Sequence, residues 1–206
     1  MRRWGCEVIA RLVVASSNAG KLREIGQILA PLGIELLPQA TLGVTEAEEP
    51  HGTFIENALA KARHAARVSG LPALADDSGL CVSALRGEPG VHSARFAGEP
   101  KDDRRNNERL IALMAGQADR SAYYACVMVL LRHPDDPEPL IAHGRWHGTI
   151  VAEPRGDGGF GYDPHFFLPE HGCTAAELPA ERKNGISHRA QALAALFEQL
   201  RSRDSR

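Results

Sequence analysis

Apolar positions along the chain follow two spacings, and each predicts a different element. Val8 to Ala15 is a β-branched run that reads as a first buried strand, and Ile34 to Leu37 as a second, short one. Leu71, Ala73, Leu74 and Ala75 form a third run and Leu80 to Leu85 a fourth. Ser121 to His133 and Leu140 to Ala152, separated by the turn-forming PDDPEP, read as a long antiparallel hairpin with alternating faces. Between these runs the spacing becomes helical. Leu22, Ile25, Ile28 and Leu29 share a face before Gly33, and Ile55, Leu59, Ala62 and Ala66 share another before Gly70. Thr53 with Glu56 three residues on is a capping box for that second helix, and the segment from Thr174 to Leu178 carries the same signature. Asp102 or Asp103 opens a helix holding Leu110, Ile111 and Met114. Ser187 is a suitable N-cap for a last helix with Ala190, Leu193, Ala194, Leu196, Phe197 and Leu200 inside, and the end of RSRDSR, residues 202–206, reads as a frayed tail.

The chain of 206 residues is long enough for one larger domain or two small lobes, and no repeat, linker or low-complexity tract divides it. A formal net charge of -2 gives no global field to attract a polynucleotide, and no local basic stripe compensates. Cys6, Cys81, Cys126 and Cys173 are far apart with neither CxxC spacing nor companion histidines, so reduced thiols and a cytoplasmic location are expected. The opening MRRWGCEVIARLVVA is broken by Arg11 and too short for a signal peptide, and no segment approaches a membrane span.

Five stretches carry candidate chemistry. In ALADDSGL, Asp76 and Asp77 stand at the end of an apolar run, where carboxylates are costly unless a cation neutralises them. Ser78-Gly79 then reads as a sharp turn, and an ordinary type I turn explains the same residues without any metal. Ser16-Ser17-Asn18-Ala19-Gly20-Lys21 lies between strand and helix, the layout that aims backbone N–H groups at an anion, although no Walker motif is present. Lys21 opposes the helix dipole there, which a bound phosphate would resolve. Asn57 and Lys61 lie one turn apart on a small-residue helix, while TEAEEP before it reads as a solvated loop. In GDGGFGYDP, Phe160 sits between glycines, where a flat base could stack on an uncrowded ring. His188 and Arg189 occupy a first helical turn, suited to a polar ligand or to solvent.

Taken together and in order, SSNAGK with Glu24, GTFIENALAKA, LADDSGL, GEPGVHSARFAG, GGFGYDPHFF and KNGISHRAQAL resemble the inosine/xanthosine triphosphate pyrophosphatases, from about Leu12 to Leu200. The departures are Ser16-Ser17, where family members often carry Thr-Gly, and residues 1–7, which read as an extension on a single domain spanning 1–206. The resemblance implies an α/β fold: a long, twisted mixed sheet with flanking helices, and two lobes around a central nucleotide cleft. It implies a homodimer and a Mg²⁺-dependent cleavage of non-standard purine triphosphates (ITP, dITP, XTP) to the monophosphate and pyrophosphate. Ser16, Asn18 and Lys21 match the family's phosphate loop, within the segment that also holds Ser17, Ala19 and Gly20. Asp77 and Glu48 match its metal acids, Glu49 being the alternative to Glu48, and Asp77 also its proton acceptor. Ser78, Phe160, Gly161, Tyr162, Asp163, Lys183, His188 and Arg189 match substrate contacts, with Asp76 and Lys61 added as supporting groups. A nucleotide binder without turnover, a pyrimidine-directed pyrophosphatase and a γ-phosphatase are the rival readings.

Overall fold

A computed structural model describes residues 2–4 and 7–204. The strands are β1 (Arg2–Trp4), β2 (Glu7–Ile9), β3 (Arg11–Val14), β4 (Glu35–Pro38), β5 (Ala73–Val82), β6 (Ser121–Leu131), β7 (Leu140–Ile150), β8 (Phe166–Leu168) and β9 (Cys173–Thr174). The α-helices are α1 (Ala19–Leu29), α2 (Phe54–Ser69), α3 (Asp103–Met114), α4 (Ala180–Ile186) and α5 (His188–Asp204). β1 and β2 form a two-stranded antiparallel ribbon that joins residues read as an extension, up to Glu7, to the start of the first apolar run at Val8 and Ile9. The other seven strands make one mixed sheet in the order β4-β3-β5-β6-β7-β8-β9. β3 is parallel to both β4 and β5, each connection passing through a helix, whereas β7-β8 and β8-β9 are antiparallel. This is the α/β mixed sheet with flanking helices that the resemblance implied.

The chain divides into two compact units: residues 1–77, 126–144 and 189–206, and residues 78–125 and 145–188. In the first, alternate side chains of β3 and β6 enter two different cores, as a period of two requires. Leu12, Val14, Met128 and Leu130 pack with Ile25 and Leu29 of α1 and with Leu193, Leu196 and Leu200 of α5. Val13, Val127, Val129 and Leu131 pack instead with Ala58, Ala62, Ala65 and Ala66 of α2, a stripe of methyl groups that lets the helix approach closely. In the second unit one core gathers Leu80, Leu110, Met114, Tyr124, Trp146 and Phe166.

Several elements differ from the sequence reading. The first run is interrupted at Ala10, so β2 and β3 belong to different sheets. Ser78-Gly79 makes no turn: β5 runs unbroken from Ala73 to Val82. Gly79 is required for another reason, because a Cβ there would overlap the Gly90 carbonyl oxygen and the Ser93 hydroxyl. The Thr174 signature does form, the Glu177 carboxylate accepting from the Thr174 N–H at 2.7 Å, but a turn follows instead of a helix. Pro179 follows that turn, and a short helix absent from the sequence reading, α4, occupies the residues before Ser187. The last helix continues to Asp204, into the segment read as a frayed tail. Cys81, Cys126 and Cys173 are free thiols, burial pushing the Cys126 pKa up to about 12, and Cys6 lies outside the described residues. Among the described residues, no helix is long and apolar enough to cross a membrane.

Candidate active site

The first unit assembles an acid–amine cluster. Asn18 caps α1, its Oδ1 accepting from the Lys21 N–H at 3.1 Å, and the Ser16 hydroxyl accepts from the Asn18 N–H at 3.2 Å. Ala19 and Gly20 are thus the first two helical residues, whose N–H groups have no intrahelical acceptor. Ser17 is turned to structure, its hydroxyl accepting from Gln39 Nε2 at 3.1 Å. The Lys21 ammonium lies 2.8 Å from Asp76 Oδ2. A carboxylate therefore answers the lysine that opposes the helix dipole, where only a phosphate had been expected.

Asp76 and Asp77 are adjacent and buried, 2% and 4% exposed, yet their surroundings differ in kind. As strand neighbours they point to opposite faces. Burial works against the Asp76 carboxylate, but Lys21, Arg189 and Lys61 outweigh it and hold its pKa far below the usual range. Arg189, 1% exposed, reaches Asp76 Oδ2 at 3.4 Å and also pairs with Glu24. Asp77 accepts from Lys61 Nζ at 3.1 Å and from Asn57 Nδ2 at 3.3 Å. There burial wins over the attraction of Lys61 and Lys21, and the Asp77 pKa is raised. Lys61 shows the converse balance. Burial disfavours its charge, but Asp77, Asp76 and Glu49 hold its pKa above the ordinary value.

Glu49, at 2.9 Å from Lys61 Nζ, is the acid that joins this cluster. Glu48 is exposed, with no described contact to it. Asn57 ties the segment carrying both glutamates to α2, accepting from the His51 N–H and donating to the His51 carbonyl, each at 3.1 Å. Its spacing from Lys61 was visible in the sequence, but its two-sided grip on His51 was not.

The second unit builds an aromatic shelf. Asp163 Oδ2 accepts from Lys183 Nζ at 2.6 Å and from the Phe160 N–H at 2.9 Å. The Lys183 ammonium in turn stands 4.8 Å from the Phe160 ring centroid, a cation–π contact. Gly159 has φ of +74°, and a side chain there would collide with the Asp163 carboxylate. Gly161 is bonded to α3 through both its peptide groups. Tyr162 faces inward, its hydroxyl donating to the Ser93 carbonyl at 2.7 Å, and packs in the core of this unit. Ser78 is half-buried within β5. The His188 ring is stacked on Tyr124 at 4.8 Å and lies 6.4 Å from Trp146. Tyr124, whose hydroxyl is hydrogen-bonded to Asp163, and Trp146 were missed because strand alternation alone marks them as core.

A helix N-terminus with a lysine, backed by buried acids, suits a polyphosphate; an aromatic ring under a fixed ammonium suits a flat, electron-rich ring. The chain belongs to the Ham1 family, whose model matches residues 12–199. It is similar to the dITP/XTP pyrophosphatase of Nitrosomonas europaea, 67% identical over 190 residues that cover 92% of this chain and 94% of the relative. It is also similar to the dITP/XTP pyrophosphatase of Ralstonia nicotianae, 63% identical over 194 residues, 93% and 96% of the two chains. Among solved structures it is similar to a HAM1 protein from Coxiella burnetii, with a TM-score of 0.85 and 46% identity over 95% of this chain and 99% of that one. The Ham1 protein of Staphylococcus aureus gives a TM-score of 0.82 at 38% identity, covering 93% and 98%.

Proposed function

We propose that this chain hydrolyses non-standard purine nucleoside triphosphates (ITP, dITP and XTP) to the monophosphate and pyrophosphate. The relatives' names supply the substrate class. The observation that carries the mechanism is the contrast at the acid pair. Asp76 is an anchored anion, while Asp77 is a carboxylate whose burial makes it readier to take a proton. Asp77 acts as general base, accepting a proton from the water that attacks the α-phosphorus as the α–β bridging bond breaks. Lys21 and the N–H groups opening α1 carry the negative charge of the phosphates. Asp76 positions Lys21, and Arg189 with Glu24 holds Asp76. In the second unit, Phe160 stacks on the base with Lys183 fixed over its ring. A 6-keto oxygen accepts where a 6-amino group only donates, so a donor of His188, in the same unit as Phe160, chooses the base.

A divalent cation such as Mg²⁺ fits the acids present. Among the described residues no three His, Cys, Asp or Glu side chains form a metal cluster. Mg²⁺ needs no such cluster, because it takes one or two carboxylates and leaves the rest to water and phosphate. Asp77 and Glu49 already share one cation, the Lys61 ammonium, at 3.1 and 2.9 Å. Those two acids would hold Mg²⁺, which supplies charge neutralisation and a lowered pKa for water. We read the whole chain as one functional domain acting as a homodimer in the cytoplasm.

Chromatography of a partial ITP digest tests this, with parallel digests of ATP and of ITP in EDTA. IMP and pyrophosphate are expected, at a rate far above that of ATP and only with the divalent ion. A build-up of IDP and free phosphate would overturn the assignment.

A further inference from the structure

Phe160 lies in a loop without regular secondary structure, so something outside that loop must fix its ring. On its N-terminal side the Phe160 N–H is held by Asp163 at 2.9 Å. On its C-terminal side the next peptide N–H, that of Gly161, donates to Asp103 Oδ2 at 2.8 Å. The Gly161 carbonyl then accepts from Asn107 Nδ2 at 2.9 Å. Asp103 and Asn107 are four residues apart on α3 and so share a helix face. Neither is needed to form the helix end, because Asp102 is the N-cap and accepts from the Arg105 N–H. The side-chain oxygen of Asn107 is buried with no hydrogen-bond partner among the described residues. A site that tolerates an unpaired acceptor is retaining the amide for its donor.

We propose that Asp103 and Asn107 are positioning residues for base recognition: they clamp the Gly161 peptide groups and thereby set the plane in which Phe160 meets a purine. The proposal rests on the reading of Phe160 as the stacking ring. With both neighbouring peptides tethered, only the two side-chain torsions of Phe160 remain to be ordered when a base arrives, so the clamp lowers the entropy lost on binding. Its effect is on the nucleoside end of the substrate, not on the phosphates.

The test uses the full chain with Asp103→Ala, Asn107→Asp and Phe160→Ala, singly and with each clamp change added to Phe160→Ala. Asp102→Asn serves as control, since it removes a charge from the same helix end while keeping the capping oxygen. Loss of one clamp bond should raise KM for ITP about tenfold, with kcat within about twofold. Inhibition by inorganic tripolyphosphate, which has no base, should be unchanged, and the control should behave as the native chain. On the Phe160→Ala background the clamp changes should add nothing further. If they raise KM by the same factor there, or weaken tripolyphosphate inhibition equally, the proposal is wrong although the stacking role stands. If Phe160→Ala itself leaves KM unchanged, the stacking reading fails and the clamp falls with it. Should Asp103→Ala fold poorly, Asn107→Asp, which keeps the side-chain volume, carries the same comparison.

Discussion

Asp76 and Asp77 are neighbours of identical chemistry, yet their replacement by Asn should have opposite consequences. Asp76 is 2.8 Å from the Lys21 ammonium and 3.4 Å from the Arg189 guanidinium, with none of its side chain exposed. Removing one partner from a buried ion pair costs about 3–5 kcal/mol. For a chain of this length each kcal/mol shifts the melting temperature by about 2–4 °C, so Asp76→Asn should melt about 6–20 °C lower. Asp77 lies where burial outweighs Lys61, so its ionised form is unfavourable in the fold. Asp77→Asn should therefore melt within about 3 °C of the native chain, or above it, while turnover falls about 10²–10⁴-fold through loss of the general base. The pH dependences run in opposite senses. The lowered pKa of Asp76 gives stability present above the unfolded value of about 3.9 and lost as pH falls towards the folded one. The raised pKa of Asp77 gives stability present below that unfolded value and lost as pH rises through the folded one. The deficit of Asp76→Asn should thus shrink on moving from about pH 7 to about pH 4, whereas that of Asp77→Asn should grow. Calorimetric melts in EDTA, without nucleotide, at the two pH values make the comparison. Equal melting losses for the two variants at neutral pH would refute the reasoning.

Phe160→Ala should raise KM for ITP and ATP alike, by on the order of tenfold for one lost stacking contact, as steady-state kinetics on both substrates will show. His188→Ala should narrow the ITP-over-ATP ratio of kcat/KM, chiefly through lost ITP turnover; an unchanged ratio would place base selection elsewhere. Gly79→Ala should lower stability by about 1–3 kcal/mol in urea unfolding, because its methyl group meets the Gly90 carbonyl and the Ser93 hydroxyl. Light scattering in reducing buffer should give a dimer mass, and a monomer mass at working concentration would contradict the assembly.

Local rules carried much of the chain. The helical stripes of α1, α2, α3 and α5 were legible because one face of each is apolar and stops at a glycine or a cap, as Thr53 and Gly70 do for α2. The order of the motifs carried the family, and with it Lys21, Lys61, Asp77, Phe160 and Lys183 as candidates. What sequence could not separate was a glycine needed for a turn from one needed for close approach. Gly79 belongs to the second kind, and its cause lies at Gly90 and Ser93, more than ten residues away. Nor could it tell Glu48 from Glu49, since both sit in one acidic loop and only the reach to Lys61 distinguishes them. The same holds for the two aspartates. Their pKa values are driven apart by Lys21 and Arg189 on one side and by burial beside Lys61 on the other. Residue type and periodicity are properties of a few consecutive positions, so sequence alone determined most of the elements and the candidate chemistry. Charge balance and close approach are sums over groups brought together from distant parts of the chain, so only the tertiary structure decided which carboxylate is held as an anion by its cations and which is pushed by burial towards its protonated form.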